Sequence, residues 1–295
     1  MTRFGPVVTA MITPFRADGS LDVEGAATLA RWLVDHGNDA LVVAGTTGES
    51  AVLTDPERVE LFGAVRQAVT VPLVAGSTTN DTAHSVAMTE AAAEVGMDAV
   101  LAVVPYYNKP SQAGLDLHFR AIAEASPLPV MLYDVPGRTG RKLATETTLR
   151  LAREVPTIVA LKDAGGDPAE SARLIAQAPE GFEVYSGDEP LSLALAAYGA
   201  VGVVGVSSHW TGRQQQEMFA AFAKGDVATA REINARLLPS YQYMNSDTCV
   251  FSQAVKVAMG VLGVPAGDCR LPLGPAPTGT DLLARTVLDE LGYHT

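Results

Sequence analysis

Short runs of β-branched and aliphatic residues recur along most of the chain: Val7–Ile12, Ala40–Val43, Leu73–Ala75, Ala99–Val104, Val130–Tyr133, Ile158–Leu161, Glu183–Tyr185 and Val201–Val206. They are largely apolar rather than alternating, the pattern of parallel strands covered on both faces. The intervening segments have helical period. Ala26, Leu29, Ala30, Leu33 and Val34 fall on one face of a helix that Gly37 stops. Thr54-Asp55-Pro56-Glu57 has the spacing of a capping box, with a proline inside the first turn of the next helix.

Eight such strands at intervals of roughly 18–33 residues, separated by helical segments, predict an α/β fold of the (β/α)8 TIM-barrel type. A doubly wound sheet would usually carry fewer strands and a Gly-rich dinucleotide turn, and no GxGxxG follows the first strand. After Gly212 the pattern is helical, with segments near Arg213–Ala223, Val227–Tyr243 and Phe251–Leu262. The chain therefore divides into a barrel over residues 1–223, which carries the active site, and a C-terminal helical extension over residues 224–295.

Composition narrows the function classes. With 21 basic against 33 acidic residues the net charge is −12, and no Lys/Arg run occurs, so nucleic acid is not an expected partner. Cys249 and Cys269 stand alone, without CxxC or zinc spacing, and read as reduced, buried residues of a cytosolic protein. The longest apolar tract, Leu191–Val206, is interrupted by Gly199, Gly202 and Gly205, so no membrane span is expected.

In a barrel of this kind the chemistry lies where strands end and βα loops begin. Those positions hold Gly45-Thr46-Thr47-Gly48-Glu49-Ser50, Pro105-Tyr106-Tyr107-Asn108-Lys109, Tyr133-Asp134-Val135-Pro136-Gly137-Arg138, Lys162 and Ser186-Gly187-Asp188. A lone lysine after a strand is most often a solvated loop residue. Lys162 instead ends a buried strand, where desolvation lowers an amine pKa from its reference near ~10.4. A neutral amine there can attack a ketone and form an imine, which serves as an electron sink. Tyr133, at the end of the neighbouring strand, is placed to shuttle protons.

The GTTGES loop is either a plain tight turn or a carboxylate cradle built of backbone N–H groups and two hydroxyls; it lacks the GK[ST] of a phosphate loop. Arg138 is either an exposed loop residue or a bidentate carboxylate ligand. The five histidines show neither HxxxH nor HExxH, so no metal is expected.

Taken in order and spacing, Gly45-Thr-Thr-Gly-Glu49, Pro105-Tyr-Tyr-Asn108, Tyr133-x-Val-Pro-x-Arg138-Thr-Gly140 and Leu161-Lys162-Asp163 resemble the dihydrodipicolinate synthase / N-acetylneuraminate lyase family over essentially the whole chain. The resemblance implies a cofactor-free lyase of lysine and diaminopimelate biosynthesis. Lys162 would form a Schiff base with pyruvate, whose carboxylate Thr46 and Thr47 would hold, helped by backbone around Gly187 and Val204. Tyr133, Thr46 and a Tyr107 from the adjacent subunit would form the proton relay. Arg138 would orient the carboxylate of the aldehyde acceptor, L-aspartate 4-semialdehyde, and the assembly would be a homotetramer, a dimer of dimers.

Three features depart from the synthase pattern: Asp134 where Asn is more usual, Gly205 in place of a serine, and the stretch 245–251 without a proline. Two rival functions stand beside the synthase, namely another pyruvate aldolase or hydratase-aldolase and a non-catalytic metabolite-binding barrel. At the positions where many relatives bind lysine, this chain has Ser50, Ala51, Asp55, Arg58, Asn80, His84 and Tyr106, which predicts weak or absent inhibition by L-lysine.

Overall fold

A computed structural model describes residues 2–246 and 249–293, so that two residues of the stretch 245–251 lie outside it. Eight parallel strands close into a barrel in sequence order: β1 (Val7–Ala10), β2 (Ala40–Val43), β3 (Leu73–Ala75), β4 (Ala99–Val103), β5 (Val130–Asp134), β6 (Ile158–Asp163), β7 (Glu183–Ser186) and β8 (Gly202–Gly205), with β8 returning to β1. Each lies within a residue or two of its predicted run.

The uniform apolar character of the strands follows from two cores. Val8, Ala10, Val42, Leu101, Met131, Ala160 and Val204 fill the barrel interior. Their immediate neighbours Leu41, Val43, Val100, Leu132, Leu161 and Val203 face outward and pack with helix residues such as Leu29, Leu33, Phe62 and Phe119. Strand side chains alternate between faces, so parity alone puts Lys162 on the inward face of β6 with Ala160, and Tyr133 on that of β5 with Met131.

Local signals set the helix starts. The helix α1 (Val23–Asp35) begins at Asp22, whose carboxylate accepts from the backbone N–H of Gly25. The helix α2 (Asp55–Ala68) carries the complete Thr54/Glu57 capping box. Downstream of β8, the helix predicted from Arg213 starts earlier, at Ser208, and runs to Ala223. Its first turn, Ser208-His209-Trp210-Thr211, has little helical propensity, but all four residues are buried against the barrel, and packing decides.

The rest of the tail folds as helices over Val227–Met244, Phe251–Val261 and Thr280–Glu290. The last of these was not among the expected segments; it begins after Gly279, a weak start signal. Cys269 is buried, Cys249 is half-buried, and both are free thiols. Among the described residues no helix is long and apolar enough to cross a membrane.

Candidate active site

Lys162 and Tyr133 are register partners across β5 and β6. Both point into the C-terminal mouth of the barrel, where they line a cavity of about 210 Å³. The Lys162 amine lies 4.4 Å from the centroid of the Tyr133 ring. Among the described residues no hydrogen-bond acceptor or ion-pair partner holds it, and Lys162 is only 5% exposed. Burial therefore pulls its pKa down to about 8; the charge of Glu189 resists that shift and that of Arg138 assists it. Burial pushes the Tyr133 phenol the other way, up to about 12, so it stays protonated at neutral pH.

Space for the lysine stem is made by Gly187. A Cβ there would come within 3.0 Å of Lys162 Cγ and 2.9 Å of the Ala164 Cβ. The backbone N–H of Gly187 is held 2.7 Å from the Asp163 carbonyl oxygen, which fixes the wall beside the amine.

The GTTGES loop forms the opposite wall with Gly45, Thr46 and Thr47. Internal bonds make it one tight unit: Glu49 N–H donates to Thr46 O at 3.1 Å and Ser50 N–H to Gly45 O at 3.2 Å. From outside the loop, Thr13 Oγ1 donates to Gly48 O at 2.6 Å. Gly48 is required by close approach, since a Cβ would meet Met11 O at 2.9 Å. Within this tight turn Thr47 is buried and Thr46 is open to the cavity, so both readings of the loop remain compatible with its geometry.

Arg138 lies on a single turn of helix (Pro136–Thr139), and its guanidinium sits 4.3 Å over the Phe251 ring at the cavity edge. The aromatic face orients the cation while leaving its N–H donors available.

Two expected site residues fall outside the cavity lining. Val204 is fully buried in β8, in the barrel interior, and Val206, two residues on, lines the cavity instead. Tyr107 is 90% exposed and projects from a loop with left-handed backbone at φ 72°. In the single chain Tyr107 is therefore open to solvent and does not line the cavity.

Sequence reasoning placed Asp188 at this mouth but missed Glu189, Met244, Asn245 and Phe251, all of which line the cavity. Glu189 is buried and organises the β8 end: it accepts from the N–H groups of Val206 and Ser207, from Ser207 Oγ at 2.7 Å and from Gln215 Nε2 at 2.8 Å. A Cβ on Gly205 would stand 2.6 Å from Glu189 Oε1, so the glycine and the glutamate fit one another. That accounts for one departure from the family pattern. The second has a local explanation too: Lys142 Nζ sits 2.7 Å from the buried Asp134 carboxylate, whose other oxygen accepts from Leu143 N–H at 2.9 Å. Among the described residues no cluster of three His, Cys, Asp or Glu side chains is placed to hold a metal ion.

Comparison with known proteins gives the family and the fold. The sequence model of the Dihydrodipicolinate synthetase family matches residues 3–289. The 4-hydroxy-tetrahydrodipicolinate synthase of Moorella thermoacetica is 47% identical, over 92% of this chain and 92% of the relative. A dihydrodipicolinate synthase of Bacillus anthracis superimposes with a TM-score of 0.92 at 43% identity, covering 98% of this chain and 99% of that one. The enzyme of Cyanidioschyzon merolae, solved with lysine bound, gives 0.96 at 41% identity, with 99% of each chain covered.

Proposed function

The chain belongs to the dihydrodipicolinate synthetase family, and from that premise we propose that it condenses pyruvate with L-aspartate 4-semialdehyde to give 4-hydroxy-tetrahydrodipicolinate. It is a lyase acting in lysine and diaminopimelate biosynthesis. The observation that carries this reading is the unpaired, buried Lys162 amine beside its register partner Tyr133 in the barrel mouth.

With its pKa near 8, roughly one Lys162 amine in ten is neutral at pH 7, about 300-fold more than for an unshifted lysine. The neutral amine adds to C2 of pyruvate, and the carbinolamine loses water to give an iminium on Nζ. Thr46 and Thr47 hold the pyruvate carboxylate through their hydroxyls and the loop N–H groups. The iminium draws electrons from the methyl carbon, which gives up a proton and leaves an enamine. That carbon attacks the aldehyde, whose oxygen takes up the proton. Attack of the product amine on the imine carbon closes the ring and frees Lys162.

Tyr133 holds its proton too tightly to act as a free base, so it passes protons as donor and acceptor in turn. Thr46 and Tyr107 of a neighbouring subunit complete that relay; the exposure of Tyr107 in one chain supports this arrangement. The enzyme is accordingly a homotetramer of the cytoplasm, complete only when a partner reaches the site. Arg138, steadied on Phe251 at the mouth, binds the acceptor's carboxylate.

Borohydride in the presence of pyruvate tests the reading. Reduction fixes the imine, so activity is lost and the adduct maps to Lys162. An adduct on Lys109, Lys142 or Lys256, or none at all, refutes the assignment. Turnover across a panel of aldehydes then tests the acceptor: preference for a polyhydroxylated aldehyde over the semialdehyde overturns the synthase reading.

A further inference from the structure

The GTTGES loop gives its two threonines to the pyruvate site, but Glu49 of the same loop lies outside that cavity and is buried. Its backbone is left-handed, φ 56°, a region that residues other than glycine seldom occupy. That conformation turns the carboxylate away from the cavity and toward the C-terminal extension.

Two residues of the extension grip it there. Lys256 Nζ stands 2.6 Å from Glu49 Oε1, with side-chain exposures of only 2% and 1%. The backbone N–H of Arg270 donates to Glu49 Oε2 at 2.9 Å. Both cations also lie over the Phe15 ring, each 4.2 Å from its centroid. Lys256 donates to Asp268 O at 2.9 Å, and Arg270 reaches Gly19 O, Val52 O and the Glu57 carboxylate. Lys256 and Arg270 together thus tie the loop, the start of α2 and the residues after β1 to one region of the extension, and the Glu49 carboxylate is the loop's share of that link.

Stability is a weak explanation for such a pair. Desolvation of two buried charges largely cancels their attraction, and an apolar pair of similar size often holds a fold as well. What an apolar pair lacks is direction. Direction comes from Arg270 N–H, which bonds Oε2, while Lys256 neutralises Oε1 as a close ion pair without a hydrogen bond, and Glu49 is bonded through its own N–H to Thr46 O. A shift of Glu49 is therefore transmitted to the threonine hydroxyls.

We infer that Glu49 and Lys256 are a positioning pair for pyruvate: their ion pair sets the placement of Thr46 and Thr47, and so lets the C-terminal extension govern affinity for the 2-oxo acid. This rests on the Schiff-base reading above. At the acceptor end Arg138 is steadied by Phe251, which opens the helix that carries Lys256, so the uncharged double variant is used to leave that helix in place.

The test compares wild type, Glu49→Gln and the uncharged double variant Glu49→Gln/Lys256→Met, the last leaving no orphaned charge. Each is titrated with pyruvate, following borohydride-trapped Lys162 by mass spectrometry and turnover with the semialdehyde, alongside thermal melting. The expected result is a rise of about tenfold or more in pyruvate half-saturation and KM. In the double variant, kcat at saturating pyruvate, KM for the semialdehyde and Tm should stay near wild type. Unchanged pyruvate half-saturation in both variants overturns the pair's role while leaving the Schiff-base reading intact. Parallel loss of kcat, both KM values and Tm in the double variant also overturns it, since that marks a general scaffold. No adduct in wild type overturns the Schiff-base reading and this inference together.

Discussion

Two lysines of this chain are buried, and their surroundings assign them opposite work. Lys162 is 5% exposed and Lys256 3%. Burial lowers the pKa of each amine. Lys256 is met by the Glu49 carboxylate at 2.6 Å and by Asp268 O, so its charge is wanted and all its geometry is spent. Lys162 has a ring face at 4.4 Å and, among the described residues, no such partner, while Glu189 acts on it only as a more distant charge. An amine buried without a carboxylate is poorly solvated as an ammonium and is correspondingly available as a nucleophile. Depth alone does not separate the two lysines; partnership does.

The largest expected effect breaks that comparison at its active end. Lys162→Met should abolish turnover, by at least about 10³-fold, and prevent borohydride trapping. It should also raise thermal stability. The folded pKa near 8 lies below the unfolded value near 10.5, so the unfolded chain binds more protons and Lys162 opposes folding. That opposition is complete below pH 8 and fades as pH rises to about 10.5, with an upper bound on the order of 3 kcal/mol. Lys256→Met should do the reverse, costing about 3–5 kcal/mol by leaving Glu49 buried and unpaired. Melting curves for both variants, at pH 7 and again near pH 10, check the pair of signs. Equal destabilisation by both substitutions would contradict the contrast.

A second expectation is kinetic. Because only the neutral amine reacts, the rate of imine formation at low pyruvate should rise tenfold per pH unit up to about pH 8 and then level off. A single-turnover pH profile measures it, and a plateau reached only near pH 10 would show that the amine is not desolvated in solution.

Arg138 sharpens the same comparison from the acceptor side. Its charge is one of the influences lowering the Lys162 pKa, and its guanidinium lies over Phe251 at the cavity edge. Arg138→Ala should retain the pyruvate imine but lose about 2–4 kcal/mol of transition-state stabilisation with the semialdehyde, a bidentate charge-assisted contact. The kinetic rise in imine formation should move to slightly higher pH. Undiminished kcat/KM with the semialdehyde would remove the arginine, and with it the carboxylated acceptor.

Much of this was legible in the residues because the barrel imposes parity. Once β5 and β6 are located, Tyr133 and Lys162 must share the inward face with Met131 and Ala160, and the strand ends must share one mouth. The walls from Met244, Asn245 and Phe251 were not legible. They come from the extension, more than eighty residues past Lys162, and nothing local in Tyr243-Met-Asn245 distinguishes a cavity wall from an ordinary helix end. Glu189 was hidden for a different reason: a carboxylate beside Asp188 reads as a solvated loop charge until the folded chain surrounds it with Ser207 and Gln215. Glu49 stood inside a recognised motif, but its partner Lys256 lies on a helix formed by the tail.

The smallest expected effect concerns L-lysine, and it follows from the same rule that a paired group is unavailable. At the positions expected from the resemblance to hold this effector, His84 Nε2 stands 2.9 Å and 3.0 Å from the two Asp55 oxygens. Arg58 is buried and donates to Ser50 O at 2.7 Å, and Asn80 Nδ2 donates to Tyr106 O at 3.1 Å. Binding would require breaking the Asp55–His84 pair to release one carboxylate, and the ammonium groups of the ligand would still meet the Arg58 cation. Loss of one charge-assisted contact is worth about 1.5–3 kcal/mol, roughly tenfold or more in affinity. Inhibition by L-lysine should therefore be weak or absent, whereas the Cyanidioschyzon merolae enzyme was solved with lysine bound. His84→Glu supplies the missing acid and frees Asp55 from its partner, so it should strengthen whatever inhibition exists. Initial rates against L-lysine for wild type and His84→Glu measure both; half-inhibition of wild type below about 1 mM would show that the pair opens readily and that partnership here does not decide availability.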